Sequence, residues 1–237
     1  MRAAFSSPLK DTITTLRGVY GAPPSLIPKS PFEMILWENV GYLGNDQRRA
    51  RAYRLLASTV GTTAERIVAA SDAQLLAVTK EGGILPQVFA QKLRKIGETA
   101  VRDFGGGDLR SLLKLSYSDA KKALMRFPGI GEPGAEKILL HTGSYPVLAL
   151  DSNALRVLVR LGYAREEKSY DATYRAIQKA VAPELVRDPK WLAEARALLR
   201  THGQEVCKRT APSCEICAVS DRCAYYRELT KKKKRKK

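Results

Sequence analysis

Residues 118–142, SDAKKALMRFPGIGEPGAEKILLHT, contain two apolar periodic segments separated by a glycine turn. Ser118 is a good N-cap, so we expect a first helix over 119–126 and a second over about 132–142. Glycine permits positive φ, so N–H groups in the turn can converge beside the positive end of the second helix. A Gly-x-Gly turn can also be purely structural. The functional alternative is a site for a phosphate group, formed by Pro128, Gly129, Ile130 and Gly131.

The remaining chain is also dominated by segments with helical periodicity, and strand-like alternation is scarce. We therefore expect an all-α fold. A buried helix is predicted over residues 32–43, opened by Pro31 in its first turn. Further helices are predicted over residues 46–58, 63–70, 72–80, 85–103, 108–115, 152–161, 171–182 and 190–202.

Asp151 lies where an apolar extended segment, Tyr145 to Leu150, gives way to a predicted helix. A carboxylate at that position is most simply explained as a helix N-cap, because its oxygens accept from the first free N–H groups. Taken alone, this position does not indicate chemistry.

Four cysteines follow with the spacing Cys207-x6-Cys214-x2-Cys217-x5-Cys223. Four thiolates in one short loop suit a zinc ion or a [4Fe-4S] cluster. Zinc sites more often pair two close Cys-x2-Cys clips, so the single close pair favours the cluster, with zinc as the alternative. Two basic residues within this loop are expected either to contact phosphate or to be solvated, Lys208 and Arg209.

The charge balance indicates a polyanionic partner. The chain of 237 residues has 41 Lys and Arg against 24 Asp and Glu, a net charge of +17. The run from Lys231 to Lys237 contributes seven of these charges, so the excess is not confined to the terminus. Nucleic acid is the commonest partner for such a field. Residues 230–237 are predicted to form a disordered basic tail.

No apolar run approaches the roughly 20 residues that span a bilayer. The N-terminus, with Asp11 and Arg17, lacks the apolar centre of a signal peptide. We therefore expect a monomeric protein without membrane association, in the cytoplasm or nucleoid, or in the nucleus if the source is eukaryotic.

Taken together, four features resemble the helix-hairpin-helix DNA glycosylases, the family of endonuclease III and the adenine glycosylase MutY. They are the run Phe127 to Gly131, the segment LDSNALRV at 150–157, His202-Gly203 and the complete cysteine spacing. The resemblance runs in order from about Pro31 to Cys223. The cysteine spacing is its most specific element, and the hairpin is its least specific.

The resemblance implies a two-part fold: a six-helix barrel and an iron-sulfur cluster domain with a DNA-binding cleft between them. The barrel would occupy residues 31–145. The cluster domain would comprise residues 146–229, with the [4Fe-4S] loop at 207–223, and residues 1–30 would pack with it. Asp151 matches the aspartate that assists departure of the base, because a carboxylate stabilises the positive charge that develops on the sugar.

Departures from the family pattern narrow the expected activity. Bifunctional members carry a lysine two residues after the last hairpin glycine, where this chain has Pro133. Proline has no nucleophile, so the expected enzyme has weak or absent AP-lyase activity. Lys137, one helical turn later, is expected to be a phosphate contact or a surface residue.

Glu38 matches the glutamate that MutY and the thymine/uracil mismatch glycosylases place in the base pocket. On an apolar helix we expect it to have a raised pKa and to donate a proton to the base. The alternative is a solvent-facing or ion-paired carboxylate. Asn153, where endonuclease III has histidine, is assigned to the DNA interface and favours the same branch of the family.

A flipped base leaves a vacancy that a side chain must fill. Tyr42 and Leu43 match the wedge positions of the family, although glutamine or arginine is common there. An apolar wedge fills space but cannot hydrogen-bond to the orphaned base. The alternative is that both residues simply end a core helix.

These observations predict a monofunctional DNA glycosylase of base excision repair, acting on a damaged or mismatched base in double-stranded DNA. MutY proteins carry a further C-terminal domain, whereas little sequence follows Cys223 here. Uracil or thymine opposite guanine is therefore the favoured target. The alternatives are an adenine or alkylpurine glycosylase, a non-catalytic DNA-structure-binding protein and a zinc-containing nucleic-acid module.

Overall fold

The fold is described by a computed structural model, which covers residues 9–23, 28, 30–41, 46–143 and 145–234. Within these residues it is all-α, as predicted, and contains no strand. Four short 3-10 helices accompany the α-helices, at Arg110–Lys114, Ala182–Glu184, Cys214–Ile216 and Ser220–Arg222. The α-helices are α1 (Leu9–Tyr20), α2 (Pro31–Val40), α3 (Asp46–Thr59), α4 (Ala64–Ala69), α5 (Asp72–Gly82), α6 (Pro86–Phe104), α7 (Tyr117–Leu124), α8 (Glu132–His141), α9 (Ser152–Leu161), α10 (Tyr170–Val181), α11 (Pro189–Glu205) and α12 (Ala224–Lys234).

The chain forms two compact units, residues 25–145 and residues 1–24 together with 146–237. In the described part of the chain, no helix combines the length and apolar character needed to cross a membrane.

The central helix of the first unit is α2. Ser30 caps it by accepting from the Glu33 N–H at 3.2 Å, and Pro31 occupies its first turn. Its apolar residues are buried among α3, α5, α6 and α8. It ends at Val40, whereas the sequence predicted an end at residue 43. Helix α5 crosses the end of α2 so closely that a Cβ on Gly82 would lie 1.7 Å from the Val40 carbonyl oxygen. Glycine is therefore required at that crossing.

Helices α7 and α8 flank the glycine turn. Helix α7 is capped by Ser116, not by Ser118 as predicted, since Ser116 Oγ accepts from the Asp119 N–H at 3.2 Å and donates to that carboxylate at 2.7 Å. The two helices are tied by Lys121, whose Nζ lies 2.6 Å from Glu132 Oε1. The predicted helix over 108–115 is instead a 3-10 helix, entered from Leu109 at φ 61°.

The second unit is organised around α9, which packs on α11, α10 and α12, while α1 packs on α11. Gly203 lets α11 approach α9 closely, because a Cβ there would lie 2.6 Å from the Asn153 carbonyl oxygen. The close packing of these two helices explains why the His202-Gly203 pair has glycine at its second position. The contact brings the start of α9 against the helix that leads into the cysteine loop.

The prediction of a disordered tail over residues 230–237 is wrong for its first part, because α12 continues to Lys234. The start of α12 is docked on α9: Ala224 Cβ lies 3.1 Å from the position of a Cβ on Gly162, and Arg160 stacks 4.7 Å from the Tyr225 ring centroid. Lysine has a high helix propensity, so a helix anchored there extends into the basic run. Residues 235–237 lie outside the described residues.

Candidate functional site

The side chain of Asp151 is held at both of its oxygens. As N-cap of α9, Oδ1 accepts from the N–H groups of Asn153 at 2.9 Å and Ala154 at 3.0 Å. Oδ2 lies 2.9 Å from Arg200 Nε and 4.0 Å from an Arg196 nitrogen, and the side chain is 28% exposed. The helix N-terminus and the guanidinium thus hold the carboxylate in one orientation. The capping interpretation is thus correct, and the group is also a fixed, partly accessible negative charge.

Arg200 is a neighbour of Asp151 that the sequence did not indicate, since 49 positions separate the two residues. Tyr170 is a second such neighbour. Burial, and then the negative charge of Asp151, raise the pKa of the Tyr170 hydroxyl to about 12. The hydroxyl therefore remains a neutral hydrogen-bond donor at neutral pH, with the Leu150 carbonyl 3.5 Å away.

Glu38 is paired with Lys137. The ammonium of Lys137 donates to Glu38 Oε1, and the two side chains are 7% and 20% exposed for the lysine and the glutamate. The expectation that Lys137 is a surface residue or phosphate contact is therefore wrong: α8 turns it towards α2, where the carboxylate compensates its buried charge. An ion-paired carboxylate is the alternative that the sequence left open for Glu38.

The turn of residues 128–131 presents two backbone amides. Gly129 is exposed at φ 80°, whereas Gly131 has φ −90° and ψ −176°, so only Gly129 needs the freedom of glycine. Ile130 is buried and its N–H donates to the Phe127 carbonyl at 3.1 Å, so it anchors the turn. Among the described residues, no acceptor is bonded to the amides of Gly129 and Gly131. The half-buried Pro128 has no N–H, so these two glycines supply the donors available for a phosphate.

Pro133 occupies the first turn of α8, where a missing N–H breaks no helical hydrogen bond. Its ring therefore fits the position at which bifunctional family members are expected to carry lysine. The structure gives this position no nucleophile.

All four cysteines line one small cavity, and none is in a disulfide. The cavity has an apolar wall that includes Val157, Leu161 and Val219. Burial raises the pKa of Cys217 to about 11 and raises that of Cys223. Bound iron would offset this cost, since a metal cation favours the thiolate. The donor set and its enclosure fit an iron-sulfur cluster, although within the described ranges no three His, Cys, Asp or Glu side chains are grouped as for a single metal ion.

His202 lies beside this cavity. Its Nε2 is 3.4 Å from Cys217 Sγ, and its Nδ1 is 3.0 Å from the Tyr20 hydroxyl. Burial lowers the pKa of His202 to about 4, so the ring is neutral at neutral pH. The His202-Gly203 pair therefore contributes a side chain to the cavity wall and a close helix contact.

Two arginines of α9 hold the cysteine loop, and nothing in the sequence had indicated this role for either of them. Arg156 donates to the Cys207 carbonyl at 2.9 Å and to the side-chain carbonyl of Asn153 at 2.9 Å. Arg160 donates to the carbonyls of Lys208 at 2.7 Å and Arg209 at 3.0 Å. The side chains of Lys208 and Arg209 are exposed, as expected, while their backbone carbonyls are held by Arg160. Asn153 is half-buried, with its side-chain oxygen already engaged.

The structure groups the predicted residues within each unit. Glu38, Lys137 and the turn of residues 128–131 belong to the unit of residues 25–145. Asp151, Asn153, the basic pair of the loop and the cysteines belong to the other unit. Tyr42 and Leu43, the predicted wedge, lie outside the described residues.

No family model matches the chain. Over 108 residues it is 32% identical to endonuclease III of Rickettsia conorii, an alignment that covers 46% of this chain and 48%, about half, of that protein. Over 164 residues it is 26% identical to the thymine/uracil-DNA glycosylase of Pyrobaculum aerophilum, covering 69% of this chain and 67% of that protein. A solved endonuclease III–DNA covalent intermediate has a TM-score of 0.73 at 18% identity, with 94% and 97% of the two chains covered.

The structure therefore defines an all-α protein of the endonuclease III architecture, with a glycine turn between two helices and a four-cysteine loop. The similarity in sequence and the shared fold together confirm the resemblance to the helix-hairpin-helix DNA glycosylases that was noted in the sequence.

Proposed function

We propose that this chain is a monofunctional DNA glycosylase of base excision repair, which acts as a monomer on double-stranded DNA. It hydrolyses the N-glycosidic bond of a damaged or mismatched base that has been flipped out of the helix. The observation that carries the proposal is Asp151, a carboxylate fixed by two backbone amides and Arg200 yet still accessible. The family similarity supplies the expectation that this position performs chemistry.

In the proposed reaction Asp151 stabilises the sugar. As the bond between C1′ and the base nitrogen breaks, its electron pair leaves with the base and positive charge develops on the sugar. The fixed carboxylate lies ready to stabilise that charge without reorganising. Water then adds to C1′, and the proton that it loses is taken up by the nitrogen of the departed base, which completes hydrolysis. Pro133 offers no amine, so the strand remains intact.

Glu38 would bind the departing base. Paired with the ammonium of Lys137, Glu38 acts as a hydrogen-bond acceptor, which fits a base that presents an N–H. The N3–H of uracil or thymine meets that requirement. Similarity to a thymine/uracil-DNA glycosylase supports the same substrates. Adenine, through its amino group, is the alternative within the same site.

Phosphate contacts would come from the amides of Gly129 and Gly131 and from the exposed Lys208 and Arg209. Cys207, Cys214, Cys217 and Cys223 would hold a [4Fe-4S] cluster that stabilises the loop and adds local charge. Hydrolysis needs no electron transfer, so the residues of this chain complete the reaction. Broad visible absorbance of the purified protein, with four irons per chain, would distinguish the cluster from zinc.

The decisive experiment is single-turnover cleavage of duplexes that carry uracil, thymine, adenine, 8-oxoguanine or an alkylated purine, each scored with and without hot alkali. We expect strand breaks only after alkali, and only with uracil or thymine opposite guanine. Breaks without alkali would contradict the monofunctional assignment. Trapping with borohydride adds a second check, since a lyase would become covalently linked to DNA and this protein should not.

A second candidate is a non-catalytic protein that binds bent, branched or abasic DNA. The observation that favours it is the Glu38–Lys137 pair, because a carboxylate held by a buried lysine is also typical of a structural ion pair. Tight binding to an abasic-site duplex with no base released from any substrate would support this alternative.

A further inference from the structure

Lys92 on α6 lies beside the exposed Gly129 of the turn. Its Nζ is 3.4 Å from the position that a Cβ on Gly129 would occupy. The same ammonium lies 4.1 Å from the centroid of the Phe89 ring, one helical turn earlier. A cation over an aromatic ring is attracted to its face, so Phe89 restricts where this flexible side chain can point. The lysine is thus held next to the turn.

The charge of Lys92 is not compensated by a carboxylate. Within the described part of the chain, no acidic group lies within 4.0 Å of its Nζ. Nearby basic residues differ: Arg94 is paired with Asp72, Arg126 with Asp103, and Lys121 with Glu132. An ammonium that is left uncompensated beside two amides without acceptors makes this surface attractive to an anion.

We propose that Lys92 binds a DNA phosphate together with the amides of Gly129 and Gly131. The DNA part of this inference rests on the proposed function. An ammonium and two N–H groups supply the donors that phosphate oxygens accept, and they contact the backbone without choosing a base. Lys92 is therefore a positioning residue, which fixes the duplex on the turn.

The geometry also gives Gly129 a second reason to be glycine. A Cβ there would meet the side-chain oxygen of Asn39 at 2.5 Å as well as the end of Lys92 at 3.4 Å. The absent side chain therefore keeps open the space between the ammonium and the turn. Asn39 adds only a neutral acceptor to this space, and its amide nitrogen donates to the Ile35 carbonyl at 2.9 Å.

The test compares Lys92→Gln with Lys95→Gln, which removes an exposed charge from the same helix. The intact holoprotein is titrated against a duplex carrying one tetrahydrofuran abasic site, over a series of salt concentrations. Loss of one phosphate contact lowers the slope of log K against log salt by about 0.9, and weakens binding roughly eightfold near 0.1 M salt. We expect this for Lys92→Gln, no change for Lys95→Gln, and recovery in Lys92→Arg. An unchanged slope in Lys92→Gln would overturn the proposal.

A second measurement uses the unmodified protein and so does not depend on how a variant folds. Lysines are acetylated with and without the same duplex, and the modified sites are quantified by mass spectrometry. Lys92 should be protected by DNA while Lys95 is not. Equal acetylation of Lys92 in both conditions would count against the site.

The outcome separates this inference from the proposed enzyme. Base excision by the wild-type protein, together with an unchanged slope and no protection, would leave the glycosylase standing and remove Lys92 from the interface. If no base is released but the slope falls and Lys92 is protected, the phosphate site stands and the proposed catalysis fails.

Discussion

The start of α9 and the crossing of α2 with α8 each hold one acidic side chain, and they do so by different means. Asp151 accepts from two backbone amides at the start of α9 and pairs with Arg200 of α11. Glu38 lies in the last turn of α2 and pairs with a lysine that is itself buried. The first arrangement orients a carboxylate partly through local backbone amides, which any non-proline residues at the start of the helix would supply. The second brings together two side chains that lie 99 positions apart.

The largest expected effect is on catalysis at the start of α9. In Asp151→Asn the amide still caps the helix, since asparagine is an equally good N-cap, but the negative charge is gone. We expect the single-turnover excision rate to fall at least about 100-fold, the scale of losing a positioned charged group. DNA affinity and the unfolding midpoint should change little.

The matched control is Asp188→Asn, which changes an aspartate that caps α11 by accepting from the N–H of Lys190 at 3.1 Å and of Trp191 at 3.3 Å. Its excision rate should equal that of the wild type. Full activity in Asp151→Asn would remove the proposed mechanism.

The next effect tests the dependence of Glu38 on its lysine. Lys137→Met removes the ammonium from this ion pair. We expect a loss of about 2 kcal/mol in the free energy of unfolding, below the roughly 3–5 kcal/mol of a fully buried pair, because Glu38 is partly exposed. Urea unfolding measures it, with the exposed Lys122→Met as control. The double variant Glu38→Gln/Lys137→Met should recover part of the loss. Strictly additive effects would mean that the pair is not coupled.

A comparable or smaller effect is expected where α11 crosses α9. Gly203→Ala places a methyl group 2.6 Å from the Asn153 carbonyl oxygen, so one helix must shift. We expect a destabilisation of about 1–3 kcal/mol, the usual cost of overpacking. Thermal unfolding measures it, and Gly18→Ala on α1, where a Cβ meets no atom within 4 Å, is the control. An unchanged melting temperature would show that the crossing tolerates a side chain.

The smallest effect concerns the exposed cations of the cysteine loop. Replacing Lys208 by glutamine should reduce the salt-dependence slope of DNA binding by about one, and weaken affinity equally for all duplex sequences. Lys190→Gln, an exposed lysine at the start of α11, is the control. An effect limited to one base opposite the lesion would point instead to base recognition by the loop.

The sequence predicted the helices well because their apolar periodicity is local. It placed α9 correctly at residues 152–161, and α10 and α11 within a few residues. The cap of α7 was misplaced because Ser116 and Ser118 both suit an N-cap, and only Ser116 stands three positions before Asp119. The helical C-terminal run was missed because its anchoring contact with Arg160 is not local.

Long-range pairing explains why the sites were predicted only in part. Roles could be predicted for Glu38, Asp151 and the four cysteines, because the spacing of the cysteines and the family resemblance are features of the sequence itself. Lys137 was predicted to be a phosphate contact or a surface residue, since nothing local indicates that it meets a glutamate 99 positions earlier. Arg200, Arg156 and Arg160 were missed for the same reason: arginine on a helix usually faces solvent, and only the packing shows what each guanidinium contacts.

The division of the chain also bears on the order in which the protein folds. The unit of residues 25–145 is continuous in sequence, so all of its contacts can form while the later chain is still being synthesised. Helix α1 cannot form its packing contacts so early, because its partner α11 is synthesised much later. Glu194, which pairs with Arg17, follows it by about 180 residues. Closing so long a loop is entropically slow. A nascent chain should therefore carry α1 exposed until α11 is complete, and the cysteine cavity should form last.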